Sequence, residues 1–237
     1  FLIPALVCIY VYHNFKSALP KRLSDQVQLT GSLATQDFKR TVRSNVQGIQ
    51  NLAERIEQTN GEYYEFWIQD AKRLLKQNES LDFVELINPK GIVEDIFPRR
   101  PNVPAIGLDI SKLAYRYEDW QSKSSQGVTN ITQWVQLSQG GNSFLVDVPV
   151  YIDDEFKGTV TGGMNFNDEF DRLSYYLKDF AIQIKDEEGT RFYNYNNYDQ
   201  AQTDPFYVFE TAMIMDSDMN ESWNFQLTFA NPDFLAE

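Results

Sequence analysis

The chain has 237 residues, of which 14% are aromatic and 23% are charged, and its formal net charge is −13. This size and aromatic content allow one large domain or two small domains with hydrophobic cores. The acidic balance, without a dense lysine and arginine stripe, argues against a nucleic-acid partner. With one histidine, His13, and one cysteine, Cys8, the composition also argues against a histidine–cysteine zinc site, a serine–histidine–aspartate triad and an intrachain disulfide.

An uncharged apolar run extends from Phe1 to Val11. It is shorter than the roughly 20 apolar residues that a membrane-spanning helix needs. Because the chain also begins without methionine, we expect residues 1–15 to be the end of a transmembrane helix, with Tyr10 and Tyr12 at the membrane interface. A buried core strand and the remnant of a signal peptide are the alternatives.

Residues 16–80 are expected to hold a long stalk helix and a second helix. Apolar residues recur mostly at steps of three, four or seven from Leu19 to Gln58, which predicts one helix with a single apolar stripe. At 1.5 Å per residue this helix is about 55–60 Å long, which favours a stalk or the seam of a homodimer. A second amphipathic helix is predicted from Glu62 to Gln77. The predicted stripe contains Leu23, Val27, Ala34, Phe38, Val42, Val46, Ile49, Leu52 and Ile56.

Residues 81–166 are predicted to form an antiparallel sheet with helices on one side. The region opens with a β-hairpin around the turn Asn88–Gly91. Three prolines then predict an extended connector, after which Ser111 caps a helix that Gly127 ends. The predicted strands are Phe83–Ile87, Ile92–Phe97, Ile131–Leu137, Ser143–Tyr151 and Glu155–Asn165.

Residues 167–237 repeat a shorter version of this pattern. The thinner core of this region predicts a module that leans on the first module or on the long helix. The segment Asp216–Ser222 carries the carboxylates of a calcium loop but lacks its glycine and its spaced glutamate, which favours a solvated turn. The predicted elements are a helix over Asp168–Lys178 and strands over Phe180–Lys185, Arg191–Tyr195, Pro205–Met215 and Trp223–Phe229.

An ordered set of short motifs fills residues 97–170. The run IFPRRPNVPAIGLDI precedes the predicted helix, SSQGVTNITQWVQLSQGGNSFLVDVPVY follows it, and FKGTVTGGMNF closes the sheet. The set resembles the CHASE domain, a family of extracytoplasmic sensors of histidine kinases, diguanylate cyclases and adenylate cyclases. The likeness extends over about Phe83–Phe229. It rests on Gly107-Leu108-Asp109, Gly127, Gln139-Gly140, Pro149-Val150-Tyr151, Gly162-Gly163 and the closing run ESWNFQLTFANPDF.

The resemblance implies an α+β fold, in which a long N-terminal helix is followed by two PAS-like antiparallel-sheet modules of the Cache and CHASE type. The membrane-distal module, residues 81–166, is expected to hold the ligand, and residues 167–237 are expected to form the membrane-proximal module. In plant members of the family, a carboxylate on the helix after the Gly-Leu-Asp triplet holds the adenine ring of a cytokinin. The matching residue here is Arg116, which disfavours cytokinin and indicates a ligand with a negative charge or a carboxylate. The other matching pocket positions are Thr132, Ser138 and Asp147, with Gly162 or Gly163 in the last strand.

Asp147 interrupts an apolar run, and a lone buried carboxylate is costly unless it is paired. It is either a paired structural anion or a residue on the face of a pocket. Arg116 lies four residues before Trp120, so the two can share a helix face, and its guanidinium can clamp a carboxylate or lie solvated. With Asp147 it can hold a zwitterion such as an amino acid. Trp134 and Tyr151 serve either as flat apolar walls of the pocket or as core residues.

These features predict a ligand-binding module with no catalytic residue, cofactor or metal. We expect it in the inner (cell) membrane, with this region in the periplasm or outside the cell. It would dimerise through the N-terminal helix, be anchored by flanking spans and pass a conformational change to a histidine kinase or diguanylate cyclase. A protein-interaction domain without a small-molecule ligand and a carboxylate-dependent hydrolase are the alternatives.

Overall fold

The computed structural model describes residues 2–214 and 221–233. A long N-terminal helix runs along two antiparallel sheets, which confirms the α+β fold with two sheet modules. The helices are α1 Leu2–Gln58, α2 Trp67–Gln77, α3 Arg99–Asn102, α4 Ala114–Ser125 and α5 Asn167–Ser174. The strands are β1 Leu81–Ile87, β2 Val93–Phe97, β3 Asn130–Ile131, β4 Val135–Gln136, β5 Asn142–Ile152, β6 Glu155–Met164, β7 Phe180–Lys185, β8 Arg191–Tyr195, β9 Phe209–Ile214 and β10 Ser222–Phe229.

The helix α1 has 57 residues and is therefore about 85 Å long. It begins well before the predicted start at Leu19, and Pro20 lies inside it. Its predicted apolar stripe faces the two sheets, and Val27, Val42 and Ile49 have no exposed surface. Among the described residues, no helix is apolar over the length that a membrane crossing needs.

The first sheet has the strand order β2-β1-β6-β5-β3, and β4 also pairs with β5. Because side chains alternate along a strand, its two faces differ. One face packs on α1 through apolar residues such as Val84, Val146 and Val160. The other face is covered by α4 and by the loops around residues 98–113 and 132–141.

Three local predictions for the first module are wrong. The proline-rich connector contains the short α3, whose backbone is non-helical at Arg100. It also contains a 3-10 turn at Val103–Ala105, in which Pro104 occupies an early position that tolerates proline. The side chain of Asp109, rather than that of Ser111, caps the next turn by accepting a hydrogen bond from the Ser111 N–H. The predicted strand 131–137 splits into β3 and β4, and Trp134 between them packs against the ring of Phe144.

The second sheet has the order β8-β7-β10-β9 and packs on α1 through β9 and β10. The strand β7 has the predicted bounds, whereas β9 begins at Phe209 rather than at the predicted Pro205. The preceding residues form a 3-10 turn, Pro205–Tyr207, which the side chain of Asp204 caps. An aromatic cluster joins the two modules, because the ring of Phe144 lies 4.6 Å from that of Trp223 and 4.7 Å from that of Phe192.

Candidate functional site

A row of polar side chains crosses the first sheet on the face away from α1. The strand registers place Glu85 of β1 and Asp147 of β5 opposite Thr161 of β6, and Asn130 of β3 opposite Asp147. All four residues are buried, and Asp147 and Thr161 have no exposed surface. A buried polar row of this kind costs stability unless hydrogen bonds satisfy it.

Arg116 of α4 reaches into this row. It is 4% exposed, and its Nη2 lies 3.0 Å from Asp147 Oδ1 and 3.7 Å from Glu85 Oε1. Asp147 also accepts hydrogen bonds from Thr161 Oγ1 at 2.7 Å and from Asn130 Nδ2 at 3.3 Å. Asp147 is thus a paired buried anion, while Glu85 has a more distant contact with the same guanidinium.

The surroundings of Glu85 change its acidity. Burial raises the pKa of Glu85 to about 7, with Arg116 lowering it and Asp147 raising it. One guanidinium therefore faces two carboxylates, of which Glu85 exchanges its proton near neutral pH. The Nε of Arg116 is buried and has no hydrogen-bond partner among the described residues. The cluster consequently retains both a free donor and a titratable acid.

A cavity of about 220 Å³, which we call the distal cavity, opens beside these two groups. Glu85 and Arg116 provide its charged lining, and the loops around residues 105–113 and 135–139 enclose it. Most of the remaining lining is apolar. The other lining residues are Phe83, Ala105, Leu108, Ile110, Leu113, Val135, Gln136, Leu137, Ser138, Gln139 and Leu145.

A second cavity of about 220 Å³ lies on the other side of Arg116, and we call it the junction cavity. It is formed by α4, by residues 129–135 and by two glutamates of the second module, Glu187 and Glu221. Arg116 and Val135 line both cavities. The two cavities therefore share part of one wall.

Three of the nine residues predicted from the sequence line these cavities, and a fourth, Asp147, lines neither but contacts Arg116. Arg116 and Ser138 line the distal cavity, and Thr132 lines the junction cavity. The Thr132 hydroxyl accepts a hydrogen bond from the Leu145 N–H at 2.8 Å. Asp147 lies directly behind Arg116 and holds its guanidinium.

The other five predicted residues do not line either cavity. The indole of Trp120 donates to Thr159 Oγ1 at 3.1 Å, and Trp134 packs with the aromatic residues between the modules. The hydroxyl of Tyr151 donates to the Ser124 carbonyl at the end of α4. The two glycines, Gly162 and Gly163, face opposite sides of the sheet. A side chain at Gly162 would meet Ile49 of α1, and one at Gly163 would meet Phe83, which lines the distal cavity.

Glu85 was missed by the sequence prediction. It stands between Val84 and Leu86 in a β-prone run, which is the same signal that singled out Asp147. A charged residue at a strand position that alternation assigns to the interior indicates either pairing or a pocket. Applied evenly, that criterion finds both carboxylates.

No group of three or more histidine, cysteine, aspartate or glutamate side chains is arranged to hold a metal ion within residues 2–214 and 221–233. Asp216 and Asp218 of the calcium-loop segment lie outside the described residues. Glu221, at its end, is 8% exposed and accepts a hydrogen bond from Trp223 Nε1 at 3.2 Å.

Comparison with known proteins identifies a family. The model of the CHASE domain matches residues 33–195, which is more than half of the chain. No curated protein sequence matches the chain.

Several solved structures share the fold. An extracellular ligand-binding receptor from Desulfohalobium retbaense aligns with a TM-score of 0.68 at 15% identity, over 86% of this chain and 40% of that one. The ligand-binding domain of the chemoreceptor CtaA from Pseudomonas fluorescens, in complex with L-isoleucine, aligns with a TM-score of 0.65 at 14% identity, over 93% and 97% of the two chains. The ligand-binding domain of the amino-acid chemoreceptor PctC from Pseudomonas aeruginosa, in complex with GABA, aligns with a TM-score of 0.62 at 10% identity, over 87% of this chain and 99% of that one.

Proposed function

The chain belongs to the CHASE family of ligand-sensing domains, and we propose that its distal cavity binds a small amphipathic molecule with a carboxylate, such as an amino acid. The observation that carries this proposal is the buried Arg116, which lines the cavity and has an Nε without a partner among the described residues. An arginine that is held on one side and free on the other is suited to recognise a carboxylate. The amino acids bound by the structurally similar chemoreceptors support this ligand class.

The lining of the distal cavity supports the same class. Glu85 faces the cavity beside Arg116, so an ammonium group and a carboxylate of one ligand can each meet an opposite charge. The apolar lining, which includes Phe83 and Leu145, suits an aliphatic side chain. Because pockets for drug-sized molecules are about 300–1,000 Å³, a cavity of about 220 Å³ fits a ligand of amino-acid size.

The proposal refines the role of Asp147. Its three hydrogen-bond donors are all protein groups, Arg116, Thr161 and Asn130, and it does not line the distal cavity. We therefore assign to Asp147 the positioning of the arginine, and to Glu85 the contact with the ligand's ammonium group.

Two conservative variants test the proposal by calorimetry with the twenty amino acids and short-chain carboxylates. Arg116→Lys keeps a charge for Asp147 but loses the Nε–H, and Glu85→Gln keeps the shape but loses the charge. Because a hydrogen bond to a charged group is worth about 1.5–3 kcal/mol, each change should weaken binding by about 10- to 100-fold. Glu94→Gln, which alters an exposed glutamate of the neighbouring strand β2, should have no effect. Unchanged affinity in both cavity variants, or no ligand in the panel for the wild type, would contradict the proposal.

The receptor context is part of the same proposal. The module would lie in the periplasm or outside the cell as part of a membrane receptor, would act by binding rather than by catalysis, and would signal to a histidine kinase or diguanylate cyclase. Ligand binding moves such a receptor only if the ligand has unequal affinity for two states. The helix α1 contacts β5 and β6 of the ligand-binding sheet and β9 and β10 of the second module, so it is the element suited to transmit the change.

A homodimer through α1 completes this proposal. Leu29 and Leu33 are 63% and 54% exposed and lie four residues apart, on one face of the helix. Exposed leucines at helical spacing are suited to a partner helix.

A further inference from the structure

The wall of the distal cavity that the first sheet provides has an apolar row beside its polar row. The strand registers place Phe83 of β1 and Leu145 of β5 on either side of Gly163 of β6. Each of these residues lies two positions along its strand from a member of the polar row, so both rows share one face of the sheet and are about 7 Å apart. A ligand whose charged groups meet Glu85 and Arg116 can therefore extend its side chain over the apolar row.

Gly163 leaves room for the ring of Phe83. A Cβ at residue 163 would lie 2.7 Å or less from the Phe83 ring atoms Cδ1, Cε1 and Cζ, well inside the separation of about 3.5–4.0 Å at which carbon atoms pack. The ring thus occupies the space that a side chain at residue 163 would fill. Because Gly163 has no positive φ, this close contact, and not the backbone conformation, disfavours a larger residue there.

The other neighbours of Phe83 leave the distal cavity as the space into which its ring can move. Phe83 is 2% exposed and packs with the buried residues Ile96 and Ala105. Such close-packed interiors have low compressibility, whereas the cavity is open space that the ring borders. A side chain at residue 163 would consequently push the ring into the cavity and shorten its apolar end.

Phe83 also provides the largest side chain near the apolar end. Among the described residues that line the cavity, Phe83 is the only aromatic one, and Glu85 and Arg116 are the only charged ones. The position of this ring therefore has a larger effect on the remaining space than that of any aliphatic neighbour.

We propose that Phe83 and Gly163 determine the size of the amino-acid side chain that the distal cavity accepts, an inference that rests on the ligand class proposed above. Gly163 allows the ring of Phe83 to lie close to the sheet, and the space above the ring takes an aliphatic side chain, up to that of leucine, rather than an aromatic one. Gly163 acts through Phe83 and is thus a positioning residue.

Calorimetry with L-alanine, L-leucine and L-phenylalanine tests the proposal on the wild type and on Gly163→Ala. One methylene group in an apolar pocket changes discrimination by about 10- to 200-fold. Gly163→Ala should therefore lower the ratio of leucine affinity to alanine affinity by about tenfold or more. An unchanged ratio, or an equal loss of affinity for both amino acids, would overturn the inference.

Two further variants separate the effect of the ring from strain in the sheet. Gly162→Ala adds the same methyl group to the opposite face of β6, against Ile49 of α1, and should leave the ratio unchanged. The double variant Gly163→Ala/Phe83→Leu removes the outer ring atoms that the new Cβ would meet, so it should restore the affinity for L-leucine. If Gly162→Ala lowers the ratio as much as Gly163→Ala does, strain in the sheet changes the ligand preference and the inference fails.

Phe83→Leu tests the same wall of the cavity even if Gly163→Ala does not fold. The ring atoms that it removes from the wall are the ones by which the side chain of L-phenylalanine exceeds that of L-leucine. The variant should therefore raise the ratio of phenylalanine affinity to leucine affinity by about tenfold or more. No change in that ratio would refute the role of the ring.

The proposed function and the size selection fail in different ways. If the wild type binds no amino acid, the ligand class is wrong and both proposals fall. If Arg116→Lys and Glu85→Gln weaken amino-acid binding while the variants of Gly163 and Phe83 leave both ratios unchanged, the size selection alone is wrong.

Discussion

Arg116 faces two carboxylates, and the two are held in different ways. Asp147 has three hydrogen-bond donors and no exposed surface, whereas Glu85 has the guanidinium at 3.7 Å and faces the distal cavity. Removing one partner of a buried ion pair costs more than removing an exposed one, because the other charge stays buried. The two acids should therefore differ in how they affect stability.

For Asp147→Asn we expect a loss of about 3 kcal/mol or more in the free energy of unfolding. The substitution leaves the buried Arg116 without its nearest counterion. Asp95→Asn provides the comparison, since Asp95 pairs with the exposed Arg99 at 3.0 Å and should cost about 1 kcal/mol or less. Urea unfolding measures both, and equal losses in the two variants would contradict this account.

Glu85→Gln should remove a pH-dependent part of the stability. The pKa of Glu85, raised from 4.5 to about 7, means that the folded protein binds this proton more tightly than the unfolded chain does. Its stabilising contribution is complete below about pH 4.5 and is lost as the pH rises through about 7, by about 3 kcal/mol. The difference in unfolding free energy between wild type and variant should fall by that amount across this range. A similar fall for Glu94→Gln, on the exposed side of β2, would refute the assignment.

At the scale of the elements, glycine permits the close approach of α1 to the first sheet. A Cβ at Gly162 of β6 would lie 2.0 Å from Ile49 Cδ1, although no positive φ requires glycine there. The position is therefore restricted by packing between the helix and the sheet. The same helix face contacts the second sheet, so this contact lies on the route that we propose for the signal.

We expect Gly162→Ala to destabilise the fold by about 1–3 kcal/mol, through overpacking against α1. Ile49→Val removes the methyl group that the new Cβ would meet, so the double variant should recover part of the loss. Gly158→Ala is the contrasting case, because Gly158 has φ +108° and its Cβ would lie 1.9 Å from the Ile87 carbonyl oxygen. Thermal unfolding distinguishes the two cases. Adding Ile49→Val to Gly158→Ala should not restore any of the lost stability.

At the scale of the whole molecule, the two modules share a core. Phe144 of the first module packs against Phe192 and Trp223 of the second, and α1 contacts both sheets. The junction cavity lies at this boundary, with lining residues from each side. A change in one module therefore reaches the other through shared packing as well as along α1.

The double variant Leu29→Glu/Leu33→Glu should shift a dimer to monomers, because it places like charges on the face that we assign to the partner helix. Analytical ultracentrifugation measures the change. Val103→Glu, which alters a residue that is 58% exposed on the first module, should leave the dimer intact. A monomeric wild-type chain at high concentration, or dissociation by Val103→Glu, would contradict the proposed interface.

The sequence by itself determined the elements whose signals are local. The apolar stripe of α1 follows from helical periodicity, and β1, β5 and β6 follow from β-prone runs between turn signals. The ordered glycine and proline motifs identified the family. Arg116 and Asp147 were expected to hold a zwitterionic ligand between them, whereas in the structure they pair with each other. The sequence did not predict the break in the strand 131–137 or the helical turns in the connector after β2. These features depend on packing and on turns that no periodic pattern marks.

Only the tertiary structure decided which charged residues meet and where space remains. Glu85 and Asp147 are separated by more than sixty positions in the chain, yet the strand registers place both opposite Thr161. Trp120, Trp134 and Tyr151 carry the same aromatic signal as pocket residues, but their hydrogen bonds and ring contacts are with other protein groups, and none of them lines either cavity. The physical reason is that periodicity specifies the face on which a side chain lies, whereas a cavity arises from how separate elements fail to fill the space between them.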